Sequence, residues 1–346
     1  MNHFEKIRKN LKGLDAIVLT SGANCFWASG FKTSGENDAA IVINKSGCFY
    51  FTDSRYTEDA VNKIPDAKVL DNAKIKKYLT GKVGFEDEAV TVGRFERWKK
   101  KFDCEFEGIS GLMTKLRQSK DEEEIALMIN AQRIAEASLK ELISGKVAGA
   151  TEKELAAKLQ NIMMKNGADG LSFDTIVASG PNSSMPHAVP TDRVISKGDF
   201  LTIDYGCIYK GYCSDTTRTF AVGSYTDEMK EVYEAVLKAQ EAGIKEAKAG
   251  VKGKDVHKAA AKVISEAGYG KYFGHAFGHS LGIEIHENPN FSPKNNKKMP
   301  MNAVVSAEPG IYIPGKFGVR IEDVVVLKEH GCEDITMLDK ELISIG

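Results

Sequence analysis

Four carboxylates occur in strongly apolar segments, where acidic residues are unexpected. Asp204 and Asp215 lie on the two arms of "LTIDYGCIYKGYCSDTTRTF", residues 201–220, whose alternation predicts a β-hairpin. Glu308 follows the apolar "AVVSA" and precedes a predicted Pro-Gly turn, and Glu322 lies inside "GVRIEDVVVL". Burial of an unpaired carboxylate costs several kcal/mol, so such a group requires cations.

A glycine-rich segment between these carboxylates, "FGHAFGHSLGIEIHENP", contains His275, His279 and His286. Arg218 and Arg320 could compensate one or two carboxylates, whereas two divalent metal ions, with His279 as a nitrogen ligand, would compensate all four. A zinc site of the HExxH type is not supported, because the required glutamate is missing and the glycines oppose a helix.

Structural explanations exist for each residue taken alone. A single aspartate or glutamate in such a strand favours a turn, cap or salt-bridge role, and Arg320 could be only the salt-bridge partner of Glu322 or Asp323. His187, in "SSMPHAVP", lies between prolines and is typical of an exposed loop. The metal hypothesis depends on the co-occurrence of the four carboxylates with the histidines.

Composition limits the class of protein. The chain has 346 residues, 42% hydrophobic and 27% charged, with a formal charge of -1, which predicts two globular domains and no bias toward nucleic acid. Its apolar runs are shorter than the ~18 residues of a membrane span, so no membrane partner and a cytoplasmic location are expected. The six cysteines form no CxxC pair, which indicates reduced, structural thiols.

The first third predicts a small α/β domain, residues 1–115. The pattern indicates a strand "DAIVL", a loop around "SGANCFWASGF", and strands "AAIVIN" and "CFYFTD" joined by a turn at "KSG". The remaining residues, 116–346, form the second predicted domain.

Capping signals place the first two helices of the second domain. Ser119 with Glu122 predicts a long helix that begins near residue 120, and Thr151 with Glu154 predicts a second that ends near residue 166. Two more helical patterns occupy 227–269. The order helix, glycine, strands therefore occurs twice, at 151–222 and 254–328, which indicates an internal duplication around a pseudo-twofold axis with a cleft between the halves.

The motifs "PHAVPTDRVI", "DYGCIYKGYCSDTTRTF", "GHAFGHSLGIEIHE", "SAEPGIYIP" and "VRIEDVVVL" occur in the order found in the pita-bread metallopeptidases (M24). The chain resembles their Xaa-Pro aminopeptidase and prolidase branch, and its first third resembles that branch's creatinase-like domain through "NCFWASGF" and "FTDSRYTEDA". The resemblance implies an α+β chain with a creatinase-like α/β N-terminal domain and a pita-bread catalytic domain. One departure is Ser280, where the family often has glycine after the metal histidine.

The resemblance also implies roles for individual residues. The metal ligands of two divalent ions would be Asp204, Asp215, His279, Glu308 and Glu322, with Asp215 and Glu322 bridging the ions. Glu308 would also act as general base and acid for a metal-activated water. The implied substrate-facing or supporting residues are His187, His275, His286 and Arg320. Four oxygen ligands and one nitrogen favour Mn²⁺, with Co²⁺ and Zn²⁺ as alternatives.

The implied reaction is hydrolysis of the Xaa-Pro bond at the free N-terminus of a peptide, by an Xaa-Pro aminopeptidase that forms a homodimer. Prolidase, which cuts only dipeptides, is the alternative within the branch. Methionine aminopeptidase lacks a comparable N-terminal domain, and creatinase works without metals. A non-catalytic pita-bread binding module is opposed by the complete ligand set.

Overall fold

The computed structural model describes residues 3–35 and 38–346, and their contacts divide the chain into two compact units, Met1–Arg117 and Gln118–Gly346. Both units combine helices with sheets, which confirms the predicted α+β class. The boundary after residue 115 that the sequence suggested stays a prediction. No helix of the described residues is long and apolar enough to cross a membrane.

The first unit is built on one six-stranded sheet in the order β4-β3-β2-β1-β5-β6. Its strands are β1 (Ala16–Leu19), β2 (Ala40–Asn44), β3 (Gly47–Thr52), β4 (Lys68–Asp71), β5 (Lys82–Phe85) and β6 (Glu105–Gly108). Its helices are α1 (Phe4–Arg8), α2 (Gly22–Ser29), α3 (Thr57–Lys63), α4 (Val92–Lys101) and α5 (Leu112–Arg117). The turn predicted between β2 and β3 is present, and Asn44 Oδ1 accepts from the Ser46 and Gly47 amides.

The loop expected around "SGANCFWASGF" is wrong, because helix α2 occupies residues 22–29. The Ser21 side chain does not cap this helix. The buried Glu86 carboxylate accepts hydrogen bonds from the Ser21 amide at 2.9 Å and the Asn24 side chain at 2.6 Å. Glu86 therefore holds the residue that precedes the helix and the Asn24 side chain. A partner more than sixty residues away leaves no local signal, so the serine and glycine indicated a loop.

The second unit contains four helices and fourteen short strands among the described residues. Its helices are α6 (Glu122–Ile143), α7 (Glu152–Lys165), α8 (Asp227–Glu246) and α9 (Gly253–Glu266). Its strands are β7 (Gly170–Leu171), β8 (Ile176–Ser179), β9 (Phe200–Tyr205), β10 (Cys207–Tyr209), β11 (Tyr212–Cys213), β12 (Thr216–Val222), β13 (Gly278–Ser280), β14 (Glu287–Phe291), β15 (Val304–Ala307), β16 (Gly310–Ile313), β17 (Phe317–Arg320), β18 (Asp323–Leu327), β19 (Cys332–Asp334) and β20 (Ser344–Ile345).

The capping box of α6 differs from the predicted one. Asp121 caps the helix and accepts from the Glu124 amide at 3.0 Å, while the Glu124 carboxylate accepts from the Asp121 amide. Ser119 donates instead to the Met301 carbonyl at 2.7 Å. The box predicted at the start of α7, between Thr151 and its third helical residue, is confirmed.

The element order repeats within the second unit. Helices α6 and α7 pack together before the antiparallel strands β8, β9 and β12, and helices α8 and α9 pack together before the antiparallel strands β13, β15 and β18. Each half has its own cluster of buried apolar side chains between helices and strands. The repeat confirms the duplicated organisation expected from the sequence.

The hairpin of residues 201–220 is formed by β9 and β12, which pair antiparallel with Asp204 opposite Thr217 and Thr202 opposite Thr219. Leu201 and Ile203 belong to the apolar core. The polar face therefore carries the aspartate. The residues between the two arms form the small ladder of β10 and β11, which belongs to a different sheet.

A second pair of long strands is interrupted at one rung. Strand β15 pairs with β18 up to Ala307 opposite Asp323, and the same register resumes in β16 and β17 with Gly310 opposite Arg320. Glu308 therefore lies opposite Glu322. Their amides donate outward, to the carbonyls of Phe277 at 2.8 Å and Thr217 at 3.1 Å.

The predicted turn at Pro309-Gly310 is wrong, since strand β16 begins directly at Gly310. Proline has no amide to donate to a ladder, so the pairing is interrupted there and resumes in the same register at Gly310. The actual turn of this hairpin lies at residues 314–316, where Gly315 has φ 72°.

Candidate active site

A cavity of about 450 Å³ lies within the second unit. All nine residues that the sequence analysis selected line its wall: His187, Asp204, Asp215, His275, His279, His286, Glu308, Arg320 and Glu322. They come from both halves of the unit and span more than 130 positions of the chain. The fold therefore brings the predicted site residues together in one cavity.

The centre of the site is formed by His279 and two carboxylates. His279 Nε2 lies 3.4 Å from Asp215 Oδ2 and 3.3 Å from Glu308 Oε1. Asp215, His279 and Glu322 each present a donor atom within 4.8 Å of the others. Such short separations let several donor atoms reach one cation.

Asp204 lies beside this centre and contacts the one guanidinium among the described residues of the cavity wall. Arg320 donates from Nη2 to Asp204 Oδ2 at 2.6 Å. The other oxygen, Asp204 Oδ1, is buried and has no hydrogen-bond partner among the described residues. Buried carboxylate oxygens normally have a hydrogen-bond partner, so the unpaired Oδ1 atom indicates that a further ligand binds here.

Hydroxyl groups fix the orientation of the two glutamates. Thr217 Oγ1 donates to Glu322 Oε2 at 2.7 Å and accepts from Arg320 Nε at 3.1 Å. Ser306 Oγ donates to Glu308 Oε1 at 3.0 Å and accepts from the His279 amide at 3.0 Å. The carboxylates are thus held in place before any ligand binds.

Burial and mutual repulsion change the protonation of these groups. Burial, reinforced by the Asp204 and Glu308 carboxylates, raises the pKa of Asp215 well above its usual range. Burial and Asp215 do the same to the pKa of Glu322. Burial also raises the pKa of Glu308, against the opposing influence of His275 and Arg320.

Burial lowers the pKa of His279, so its imidazole is neutral near pH 7 and can act as an electron-pair donor. The Nδ1 atom of this ring lies 3.2 Å from the Ser280 carbonyl, which favours a hydrogen on Nδ1 and a lone pair on Nε2. Its lone pair therefore points toward Asp215 and Glu308, where a cation would lie.

The other three histidines differ in their partners. His275 Nδ1 lies 2.8 Å from the Ala276 carbonyl and its Nε2 lies 3.1 Å from the Tyr312 hydroxyl, so both ring nitrogens are used. His286 packs edge-on against His279 with ring centroids 4.4 Å apart. In the described part of the chain the rings of His187 and His286 have no hydrogen-bond partner, and both residues line the cavity.

The sequence analysis missed three polar residues of the site, Thr217, Ser306 and Tyr312. The Tyr312 hydroxyl accepts from Arg320 Nη1 at 2.8 Å and joins that arginine to His275. Each of the three is a hydroxyl residue in an apolar strand, on the same face as a selected carboxylate or arginine, and that shared face was the available signal. The apolar part of the described wall includes Phe173, Ile176, Pro186, Ala276 and Ile285.

A second buried arginine, Arg218, binds the main chain of two site residues. Arg218 donates from Nη1 to the carbonyls of Thr217 at 2.9 Å and Glu322 at 2.6 Å, and from Nη2 to Asp323 Oδ1 at 2.7 Å. It also donates to the carbonyls of Leu338 and Asp339, both at 2.9 Å. Arg218 therefore neutralises Asp323, and of the two arginines considered from the sequence only Arg320 faces the cavity.

Ser280, the departure from the family pattern, is compatible with the local structure. Its side chain is fully buried and donates to the Pro289 carbonyl, and the register of β13 against β14 shifts between His279 and Ser280. The hydroxyl is thus satisfied within the protein, and the adjacent imidazole still faces the cavity.

Buried carboxylates that converge on a neutral imidazole define a metallohydrolase site. The family model described as "Metallopeptidase family M24" matches residues 126–329, and the "Creatinase/Prolidase N-terminal domain" model matches residues 4–119. The chain belongs to metallopeptidase family M24. It is a metallopeptidase with a pita-bread catalytic domain and a creatinase-type N-terminal domain, as the sequence predicted.

Similar proteins cover almost the whole chain. The Xaa-Pro dipeptidase of Pyrococcus horikoshii is 35% identical over 98% of this chain and 99% of its own. The crystal structure of an X-Pro aminopeptidase from Thermotoga maritima is 39% identical with a TM-score of 0.92, over 99% and 100% of the two chains. An Xaa-Pro dipeptidase from Bacillus anthracis is 38% identical with a TM-score of 0.93, over 98% of each.

Membership of a metallopeptidase family implies divalent metal, and the residues present fit such ions. The donor set is rich in carboxylate oxygens with one neutral imidazole, which suits hard or borderline divalent cations. The orphaned Asp204 oxygen and the raised pKa values of Asp215 and Glu322 show that the protein alone leaves this negative charge uncompensated.

Metal affinity should fall as the pH is lowered. The carboxyl groups of Asp215, Glu308 and Glu322 have raised pKa values, so they take up protons at a higher pH than ordinary carboxyl groups, and each proton competes with a cation. Affinity is then greatest above these raised values and decreases by about tenfold per pH unit for each proton displaced.

Calorimetric titration of metal-free protein with Mn²⁺ at pH 7.5 and pH 5.5 tests this. The apparent Kd should be higher at the lower pH, and the binding enthalpy should vary with the ionisation enthalpy of the buffer, because protons are released. Equal affinity at both pH values, with no dependence on the buffer, would contradict the expectation.

Proposed function

We propose that this chain hydrolyses Xaa-Pro peptide bonds, with Xaa-Pro dipeptides as its main substrates. The observation that carries this proposal is the convergence of Asp204, Asp215, His279, Glu308 and Glu322 on one cavity, in a chain similar over nearly its full length to named Xaa-Pro peptidases. A cavity of about 450 Å³ lies toward the lower end of the range for small ligands, roughly 300–1,000 Å³, and suits a dipeptide.

The five residues named above would hold the two proposed divalent ions. Bound divalent ions would lower the pKa of water and polarise the scissile carbonyl. We propose Mn²⁺ as the metal, with Co²⁺ and Zn²⁺ as alternatives, because oxygen donors predominate. We also propose a homodimer, from the family resemblance, and a cytoplasmic location, from the composition.

Glu308 is the proposed general base and acid. Its carboxylate lies on the cavity wall, held by Ser306, and its raised pKa brings proton exchange closer to neutral pH. Oε1 or Oε2 takes a proton from the attacking water and later gives it to the proline nitrogen. That nitrogen needs a proton to leave, because the Xaa-Pro bond is a tertiary amide with no N–H of its own.

The cavity's histidines provide the remaining polar contacts to a peptide. The free ring nitrogens of His187 and His286 can donate to the substrate carbonyl as negative charge develops on its oxygen. Both nitrogens of His275 have protein partners, so this residue orients Tyr312 and, through it, Arg320. Arg320 holds Asp204 Oδ2 and leaves Oδ1 without a protein hydrogen-bond partner among the described residues, so that Oδ1 is available to a metal ion.

Hydrolysis of longer peptides, the activity first expected from the sequence, is the second candidate. A dipeptidase has to receive the proline carboxylate, usually with a cation. Arg320, the one guanidinium on the described cavity wall, already binds Asp204, Tyr312 and Thr217. Because Arg320 is already bound to these partners, it is not available to a proline carboxylate. This favours a substrate whose proline is followed by another residue, as the name of the Thermotoga maritima structure also does.

One assay separates these candidates. Purified protein loaded with Mn²⁺ is given Ala-Pro and Ala-Pro-Yaa-Zaa peptides, and Asp204→Asn serves as the inactive comparison. We expect hydrolysis of the dipeptide and a much lower rate on the tetrapeptide. A tetrapeptide rate equal to or above the dipeptide rate would identify an aminopeptidase, and equal activity of Asp204→Asn would refute the metal-site assignment.

A further inference from the structure

Both ends of one cavity-wall loop meet at a single buried carboxylate. We call residues 179–193 the His187 loop, because they carry His187 to the cavity. At its start, the amide and hydroxyl of Ser179 donate to Glu152 Oε1 at 2.7 and 2.8 Å. Near its end, the amide and hydroxyl of Thr191 donate to Glu152 Oε2 at 3.0 and 2.6 Å. The Asn182 side chain reaches both oxygens at 3.1 Å.

Helix capping does not explain this carboxylate. Glu152 is the first residue of α7 and fully buried, but the cap of that helix is formed by Thr151 and Glu154. The five donor groups on Glu152 all belong to the His187 loop. Arg193, the nearby guanidinium of the loop, donates instead to Asp199 at 2.7 Å and to Ser179 Oγ. The burial of Glu152 is therefore offset by the loop that it binds.

The inner side of the loop contacts the catalytic strands. The Pro186 carbonyl accepts from Arg320 Nη1 at 3.3 Å, and Ser183 Oγ accepts from the Gly318 amide of β17 at 2.9 Å. Pro186 and His187 themselves line the cavity. A shift of the loop ends would thus move both the imidazole and the carbonyl that receives Arg320.

We propose that Glu152 is a positioning residue that fixes the His187 loop, and with it the His187 imidazole, at the substrate side of the cavity. The inference rests on the proposed function, since it assumes that His187 contacts the peptide. Glu152 does not line the cavity and acts through the loop. Glutamine at this position keeps one oxygen acceptor and places an NH₂ donor against donors from Ser179 or Thr191, which loosens one end of the loop.

The test is a double-mutant cycle on kcat/KM for Xaa-Pro hydrolysis. Glu152→Gln should lower kcat/KM by up to about 10²-fold, the scale on which displacement of a positioned group acts. In a His187→Ala background, Glu152→Gln should lower kcat/KM by less than about threefold, because the imidazole that Glu152 positions is already absent. An equal loss in both backgrounds would overturn the proposal and indicate a general structural effect.

Two further variants make the test specific. Glu154→Gln is the matched control, because it changes a glutamate of the same first helical turn that does not contact the loop, and we expect wild-type kcat/KM. Thr191→Val removes one hydroxyl and keeps the backbone amide, so it remains informative where Glu152→Gln fails to fold. Thr191→Val should lower kcat/KM less than Glu152→Gln does, and this loss should also shrink in the His187→Ala background. An equal loss of kcat/KM with and without His187 would contradict the proposal.

Hydrogen exchange gives a readout that does not depend on activity. The Ser179 and Thr191 amides donate to Glu152, so peptides covering residues 179–193 should exchange faster in Glu152→Gln and unchanged in Glu154→Gln. Unaltered exchange in Glu152→Gln would overturn the proposal. A wild-type protein that cleaves no Xaa-Pro bond would refute the proposed function, while this measurement would still decide whether Glu152 fixes the loop.

Discussion

Glu308→Gln should lower kcat for Xaa-Pro hydrolysis by about 10²–10⁴-fold, the range over which positioned acid–base groups act. The substitution keeps the size of the side chain and an oxygen that can accept from Ser306, whose hydroxyl lies 3.0 Å from Glu308 Oε1. It removes the proton acceptor, whose pKa burial raises against the influence of His275 and Arg320. It also removes one negative charge from the metal-binding centre.

Steady-state kinetics in saturating Mn²⁺, with the metal content of each sample determined separately, tests the prediction. Glu333→Gln is the control, because this glutamate is exposed and does not line the cavity. A variant that binds the same amount of metal and retains more than a third of the wild-type kcat would show that Glu308 is not the general base.

Arg218→Met should lower the free energy of unfolding by about 3–5 kcal/mol, the usual result of removing one partner of a buried ion pair. Arg218 is 2% exposed and donates to Asp323 and to four main-chain carbonyls, so methionine leaves these acceptors without their donor. Asp323 would keep Lys340, whose Nζ lies 2.6 Å from Oδ2, as its remaining cation.

Urea denaturation of the metal-free protein measures this loss without interference from ligand binding. Lys340→Met is the matched comparison, since it removes the other, partly exposed cation of Asp323 and should cost less. A loss below about 1 kcal/mol for Arg218→Met would mean that Asp323 and the carbonyls find other partners.

The sequence predicted the hairpin of β9 and β12 and singled out its carboxylates because their signals are local, whereas His187 was selected only through the family resemblance. Alternation placed Asp204 and Thr202 on the polar face. Acidic residues inside apolar strands indicated a site, because burial of an unpaired carboxylate is costly. The capping box at Thr151 was equally visible within four residues. Such features depend on the spacing of a few neighbours.

Other features depend on partners that are distant in the chain. The start of helix α2 is held by Glu86, which accepts from the Ser21 amide more than sixty positions away, and the sequence therefore indicated a loop there. The Ser119 signal failed because Asp121 offered an equally good cap two residues later, while Met301 took the serine hydroxyl. Thr217 and Tyr312 become site residues only when their strands are placed beside Arg320.

The shared register of β15–β18 and β16–β17 constrains which changes in chain length this enzyme can tolerate. Residues added at the turn of residues 314–316 lengthen the far end of the hairpin and leave Glu308 opposite Glu322. A single residue inserted between Val304 and Glu308 would turn the carboxylate to the opposite face, because successive strand side chains alternate. Insertions and deletions among related chains should therefore occur at the turn and be absent from the strands that lead to Glu308 and Glu322.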